Sequence, residues 1–184
     1  MSAALASGPL FDRVYISQDV QAQLKPGFVV RPLEPGDYEK GFLDVLSQLT
    51  TVGKMSKGLF MERYSYLKAH NHEYFTIVIE DTKKQLIVGA GTVLVERKFV
   101  HMNGLVGHIE DIVTHSEYRG LNLGKLVIET LKYIGKMTGC YKIILDCNDK
   151  NIPFYEKCGF AHKEFEMVLY IDENDAVKAP KAKL

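Results

Sequence analysis

The chain has 184 residues, 46% of them hydrophobic and 25% charged. Such usage supports one self-sufficient core and excludes wholesale disorder. The 23 Lys plus Arg balance 23 Asp plus Glu, for a formal net charge of +0. A net basic field able to hold nucleic acid unaided is therefore excluded.

No apolar run approaches the ~20 residues of a membrane span, and the longest candidate, Leu86 to Val95, is broken by Gly89 and Gly91. The first residues lack the basic and apolar segments of a signal peptide. The 3 cysteines, Cys140, Cys147 and Cys158, have no metal-ligand spacing and fit a reducing compartment as small core residues. A cytoplasmic location is expected, with a peroxisomal address in Ala182-Lys183-Leu184 as the alternative.

Residues 1–26 are small and polar, broken at Gly8-Pro9 and Pro26-Gly27, and read as a loose arm with at most a short helix. Residues 27–171 read as one domain, and residues 172–184 as a solvated tail. Phe28 to Leu33 predicts a first strand. Asp37 predicts an N-cap, and Phe42, Val45, Leu46 and Leu49 a helix running to about Thr50. Ser56 caps a second helix carrying Leu59, Phe60, Tyr64 and Leu67. Tyr74 to Glu80, Leu86 to Val100 and the stretch from Gly104 to Val113 predict an antiparallel meander. Leu123, Leu126, Val127, Thr130, Leu131 and Ile134 predict a helix ending near Gly139. The continuous run Tyr141 to Cys147 predicts a buried strand, Asn151 to Cys158 a short helix, and Phe160 to Ile171 one or two last strands. The expected class is α+β, a mixed and mostly antiparallel sheet with helices on both faces.

The chemistry concentrates where a strand turns into a helix, Ile109 to Lys125. Gly120 and Gly124 permit close backbone approach, and Arg119 and Lys125 add positive charge. Backbone N–H groups at a helix start hold phosphate. The spacing is neither that of a Walker A loop nor that of a dinucleotide-binding turn, and tight helix packing explains the two glycines equally well.

Farther along stands Asn151-Ile-Pro-Phe-Tyr-Glu-Lys-Cys-Gly-Phe160. Together the two segments resemble the GNAT superfamily of acyl-CoA-dependent N-acetyltransferases, whose loop reads Arg/Gln-x-x-Gly-x-Gly/Ala and whose second signature is Asn-x-x-Phe-Tyr-x-x-x-Gly-Phe. Here Asn122 replaces the loop's first glycine. Val95 to His101, Gly107 to Ile112, Gly139 to Cys147 and Leu49 to Gly53 narrow the resemblance to the eukaryotic glucosamine-6-phosphate N-acetyltransferases, over residues 28–170.

That resemblance implies a GNAT fold with a splayed parallel strand pair and acetyl-CoA as cosubstrate. It implies pantetheine on the edge of Ile112, Val113 and Thr114, and pyrophosphate on Arg119, Gly120, Leu121, Asn122, Leu123, Gly124 and Lys125, with Asn151 beside the cofactor. It implies direct transfer, with Tyr155 stabilising or protonating the leaving thiolate and the Asp146 carbonyl orienting the amine. Glu110 and Asp111 become sugar ligands, Glu110 also touching the amine. As neighbours on a strand they are expected to face opposite sides. His108 could relay protons or be structural. Lys98, His101 and Lys142 are the implied phosphate cations, joined by Tyr141 and Thr50. Tyr170 stands where the family has an arginine, which removes one phosphate contact. The resemblance further implies a homodimer whose C-terminal strand packs across its partner. No metal is expected, since His101, His108 and His115 do not converge on one strand face. The competing readings are acetylation of another small amine or of a protein amine, and a non-catalytic CoA-binding module.

Overall fold

Five strands hydrogen-bond in chain order: β1 (Phe28–Pro32), β2 (Tyr74–Asp81), β3 (Leu86–Arg97), β4 (Leu105–Thr114) and β5 (Cys140–Ile144). The first four pair antiparallel, and β5 joins β4 in parallel. The computed structural model describes residues 7–171, so the tail of residues 172–184, with Ala182-Lys183-Leu184, and residues 1–6 lie outside the described residues.

Helix α1 spans Gln18–Gln23, α2 Phe42–Leu46, α3 Lys57–Ala69 and α4 Leu123–Met137. The apolar stripe predicted for α4 is its buried face: Leu126, Val127, Leu131 and Ile134 are inaccessible or nearly so. This face meets the sheet where β3 carries Gly89 and Gly91, beside Val127 and Leu131. On the opposite face, α2 and α3 enclose a cavity against Thr76, Ala90, Thr92 and Leu94. The class is thus α+β, an open mixed sheet with helices on both faces.

Caps and charges fix the ends. The Ser56 hydroxyl accepts the Leu59 N–H, as its position before the periodic run predicts. Helix α2 is shorter than expected. It starts after Gly41 at φ +80° and ends at Leu46, and a short 3-10 turn at Pro35–Tyr38 takes up the preceding residues. Asp37 there binds the buried Arg31 through two bonds of 2.7 and 2.8 Å. Arg31 also bonds Glu80, which Lys40 reaches at 2.7 Å, so two cations and two carboxylates balance.

Three departures from the sequence reading have physical causes. The segment before Phe28 is no loose arm among its described residues. Ile16, Val20 and Leu24 recur every four residues and are buried, as are Leu10 and Phe11. Phe11 and Tyr15 set their rings against Phe75 at 5.0 and 5.3 Å. The Leu10 N–H donates to the Leu33 carbonyl at 2.8 Å, while Tyr64 and Lys68 donate to the Gly8 and Pro9 carbonyls. Second, β5 is not a buried strand. It is the sheet's edge, with Tyr141, Lys142 and Ile144 exposed, because no strand pairs its outer side among the described residues.

Third, residues 160–171 form no strand. Phe165, Met167, Leu169 and Ile171 alternate as a half-buried strand would, yet all are exposed, since none of the sheet's five strands pairs with them. They belong to a second compact unit, Asp149–Leu184, whose described part holds helix α5 (Ile152–Lys157). Gly159 at φ +87° ends α5, and the Phe160 N–H closes on the Tyr155 carbonyl at 3.1 Å.

Candidate active site

The parallel pair is short. Register partners run from Leu105↔Cys140 to His108↔Ile144, where β5 ends while β4 continues to Thr114. Beyond His108, the β4 edge that faces away from β3 has no strand partner among the described residues. Ile112, Val113 and Thr114 lie on this open stretch, and a strand edge without a ladder offers its amides to a ligand. Asp146 lies two residues past the end of β5 and is exposed.

The open edge leads into the start of α4. Gly120 takes φ +81° with nothing near the place of a side chain, and Asn122 takes φ +61° as the N-cap. Asn122 makes no side-chain cap bond, and no acid stands in the first turn, which carries Lys125 instead. An uncapped helix start with a cation where an anion is favoured is unstable by itself and complementary to a phosphate. Arg119 and Asn122 are exposed, Leu121, Gly124 and Lys125 half-buried, and Leu123 buried.

The loop is held from behind. The buried Tyr118 donates its hydroxyl to Asp81 at 2.9 Å, packs against Phe28 and His115, and lies under the Lys84 ammonium. Asp81 also accepts the Lys83 and Lys84 N–H groups, which tie it to the β2–β3 turn. Burial would raise the Asp81 pKa, but these bonds hold it below the usual carboxylate range.

One correction concerns Glu110 and Asp111. Thr92 pairs with Glu110 and Ala90 with Val113, so Asp111 and Ile112 together oppose the single Gly91. This is a β-bulge, with Asp111 at φ +55°. It breaks the alternation that would place the two carboxylates on opposite sides, and both border one cavity of about 310 Å³. Gly91 is required there, because a Cβ would lie 2.7 Å from Ile112 Cδ1 and 2.8 Å from Val127 Cγ1.

The implied phosphate cations divide. Lys98 Nζ lies 2.5 Å from Glu96, whose other oxygen is 2.8 Å from His108 Nε2. The bonds from Lys98 and His108 keep the Glu96 carboxyl below its usual range. The His101 ring lies tilted against Tyr141, with centroids 4.2 Å apart and planes at 36°. Between β3 and β4, His101, Met102 and Asn103 all take positive φ, and Phe99 and Met102 are 97% and 98% exposed. Gly104 accommodates the His101–Tyr141 contact, since a Cβ would sit 2.9 Å from Tyr141. Lys142 is exposed on β5, opposite Val106. Thr50 is exposed and does not border the cavity.

In the second unit, Asn151 precedes α5 and Tyr155 lies on it, half-buried, its ring edge-on to Phe154 and Phe160 at 5.1 and 6.2 Å. Tyr170 is exposed. The sequence reading missed Tyr118, Asp81, Glu96 and Gly91. The Tyr before Arg119-Gly120 was the available signal for the first. No group of three or more His, Cys, Asp or Glu able to hold a metal occurs among the described residues.

Residues 43–160 match the model of the acetyltransferase (GNAT) family. Glucosamine 6-phosphate N-acetyltransferase 1 of Dictyostelium discoideum is 47% identical over 145 residues, 79% of this chain and 92% of that protein. The Candida albicans glucosamine 6-phosphate N-acetyltransferase is 39% identical over 79% of this chain and 97% of its own length. The crystal structure of glucosamine-6-phosphate N-acetyltransferase from Arabidopsis thaliana superimposes with a TM-score of 0.77 at 41% identity, covering 79% of this chain and 99% of that one. The open β4 edge, the uncapped cationic helix start and these likenesses agree: the chain belongs to the GNAT acetyltransferase family, alongside the eukaryotic glucosamine 6-phosphate N-acetyltransferases.

Proposed function

We propose that the chain transfers the acetyl group of acetyl-CoA to the 2-amine of D-glucosamine 6-phosphate, giving CoA and N-acetyl-D-glucosamine 6-phosphate, a step toward UDP-N-acetylglucosamine. The observation that carries the reading is the unpaired β4 edge running into the uncapped start of α4. It suits a ligand with an amide-bearing arm and a phosphate end. Ile112 to Thr114 would pair the arm, and the amides from Gly120 to Lys125, with Arg119, would hold the pyrophosphate. Asn122 is compatible, because its side chain makes no cap bond and leaves the amides available. The named activities of the relatives point to the acceptor.

The neutral amine attacks the thioester carbonyl, a C–N bond forms, the C–S bond breaks, the thiolate departs, and the proton lost by the nitrogen balances the one the thiolate gains. Glu110 and Asp111, both lining the cavity, are assigned to the sugar. The Asp146 carbonyl is assigned to orient the amine, and Tyr155 to protonate the thiolate, by likeness to the family. Lys98, His101 and Lys142 are assigned to the sugar phosphate, with Tyr141 and Thr50 as hydrogen-bond donors. A homodimer belongs to the same reading. The exposed Phe99 and Met102, and the alternating Phe165, Met167 and Leu169, are apolar groups suited to a second copy.

Thiol release from acetyl-CoA with glucosamine 6-phosphate, glucosamine, glucosamine 1-phosphate and a lysine peptide tests the assignment. Strong preference for the first supports it, and activity on the peptide alone overturns it. Tyr155→Phe should lower kcat by about 100-fold, the scale of general-acid catalysis, with acetyl-CoA affinity little changed.

A further inference from the structure

The sheet face that lines the cavity carries charged groups one row beyond it. Cross-strand register pairs Thr92 with Glu110, Leu94 with His108 and Glu96 with Val106. Alternate residues of a strand share a face, and Thr92, Leu94 and Glu110 all line the cavity. Glu96 and His108 therefore stand on that same face. His108 is also the last β4 residue paired with β5. The strands part there, and Glu110 lies two residues into the open stretch. That is roughly 7 Å along a strand, a span that one water bridges.

The His108 ring is held in one orientation and one tautomer. Its Nε2 lies 2.8 Å from one Glu96 oxygen, and Lys98 Nζ lies 2.5 Å from the other. The bond from Lys98, and then that from His108, keep the Glu96 carboxyl below its usual range, so Glu96 is an acceptor only. Nε2 then carries the proton. A neutral imidazole has one donor and one acceptor nitrogen, which leaves the lone pair on Nδ1. Among the described residues no hydrogen bond occupies Nδ1. The charged groups around the ring are Glu96 and Lys98 from the β3 side, Glu110 along β4, and Lys142 from β5 opposite Val106, with Asp146 past the strand end.

A carboxylate that fixes the tautomer of an imidazole and stabilises its protonated form makes that imidazole a proton acceptor. The reaction needs one. An aliphatic amine is largely protonated near neutral pH and attacks only after losing a proton. Here the argument rests on the acyl-transfer reading above, which assigns the acceptor to Glu110.

We propose that His108, oriented by Glu96, receives the proton that the acceptor ammonium loses, relayed past Glu110 by one water. The ammonium N–H bond breaks with its electron pair left on nitrogen, the proton ends on His108 Nδ1, and the neutral amine attacks the thioester. The imidazolium, paired with Glu96, returns its proton to solvent before the next turnover. His108 is thus a relay residue and Glu96 a positioning residue, and no further reactant is needed.

Two measurements on the full chain test this. The first is steady-state kinetics on whichever amine the parent acetylates. His108→Gln keeps a side chain able to bond Glu96 but unable to take a proton. Its kcat at neutral pH should fall about 100-fold, the scale of general-base catalysis, with calorimetric acetyl-CoA affinity unchanged within about twofold. The parent-to-variant ratio should shrink as pH falls through about 8 to 5, because protonated imidazole offers no lone pair. A kcat within about threefold of the parent, a ratio flat with pH, or a lost acetyl-CoA affinity overturns the proposal. Glu96→Gln should lower kcat at least about tenfold, as a wrong tautomer does, and Glu96→Asp should recover part of it. An unchanged kcat in Glu96→Gln also overturns it. The second measurement needs neither turnover nor a variant. Long-range 1H–15N NMR of the ring should show the Nε2–H tautomer of His108, and an Nδ1–H tautomer overturns it. Should glucosamine 6-phosphate fail while another amine reacts, the acceptor assignment falls, and the His108 comparison still decides the relay.

Discussion

Gly89 and Gly91 stand two residues apart on one face of β3, and alanine should act on them in opposite directions. A Cβ at Gly91 would lie 2.7 Å from Ile112 Cδ1, 2.8 Å from Val127 Cγ1 and 3.0 Å from Leu131 Cδ1. Val127 and Leu131 are wholly buried, so neither methyl can swing into solvent, and Ile112 is fixed by the bulge. Overpacking of this kind costs about 1–3 kcal/mol, while replacing glycine regains about 0.4–1 kcal/mol of unfolded-chain entropy. The net loss for Gly91→Ala is then about 1–2 kcal/mol, a Tm lower by about 2–8 °C for a chain of this size. At Gly89 the nearest atoms, Ile79 Cβ and Val127 Cγ2, would be 3.5 Å away, an ordinary contact. Gly89→Ala should therefore raise Tm by about 1–4 °C. Thermal unfolding of the three proteins in one buffer decides the matter. A Gly91→Ala protein as stable as the parent would refute the claim that Gly91 is what admits the bulge. The same variant should raise the KM for acetyl-CoA, because Ile112 belongs to the proposed pantetheine edge.

Tyr118→Phe removes the hydroxyl that ties the proposed phosphate loop to Asp81 and should raise the KM for acetyl-CoA several-fold, on the scale of about 1 kcal/mol for one hydrogen bond, with kcat within about twofold. A lower Tm at unchanged KM would show that the anchor serves stability alone. Stability should also fall in acid. Burial would raise the Glu80 and Asp81 pKa values, but hydrogen bonds from Lys40, Arg31 and Tyr118 prevail, and Lys98 and His108 act likewise on Glu96. Carboxyls held below their unfolded pKa values contribute in full above 4.5 for Glu and 3.8 for Asp, and that contribution disappears as pH drops through the lower folded values. Urea midpoints at pH 7 and at steps below pH 4.5 measure it, and a flat profile would contradict the assigned bonds.

Elements with a period and a cap were legible from sequence. Helix α4 follows its leucine and isoleucine spacing, and α3 begins at the serine placed to cap it. Ile16, Val20 and Leu24 carried the same signal, but the glycine and proline breaks on either side masked it. The bulge had no signature, since an aspartate rather than a glycine occupies the left-handed position at residue 111. Strand burial failed at β5 because an apolar run reports what a strand could bury and not whether a neighbour exists. The alternation at Phe165 to Ile171 misleads in the same way, for a strand needs a second edge that its own residues do not encode. At the site, the strand-to-helix turn proposed to hold phosphate was legible as a turn from its glycines and charges. The Glu96 bridge between Lys98 and His108 depends on cross-strand register, which periodicity leaves open.

The strand order has a consequence for how the protein is made. Strands β2, β3 and β4 are successive hairpins that close over short loops, so they can form while the ribosome is still delivering α4, at roughly 5–20 residues per second. Strand β5 must wait for the whole crossover and adds in parallel, the slower kind of pairing. It is then held to β4 only between Leu105 and His108. The strand whose end leaves the β4 edge open is thus the last of the five to arrive and the first expected to come away. Amide exchange at Lys142 to Ile144 should outpace that at Ile77 to Ile79 by orders of magnitude, as it does for sub-global opening.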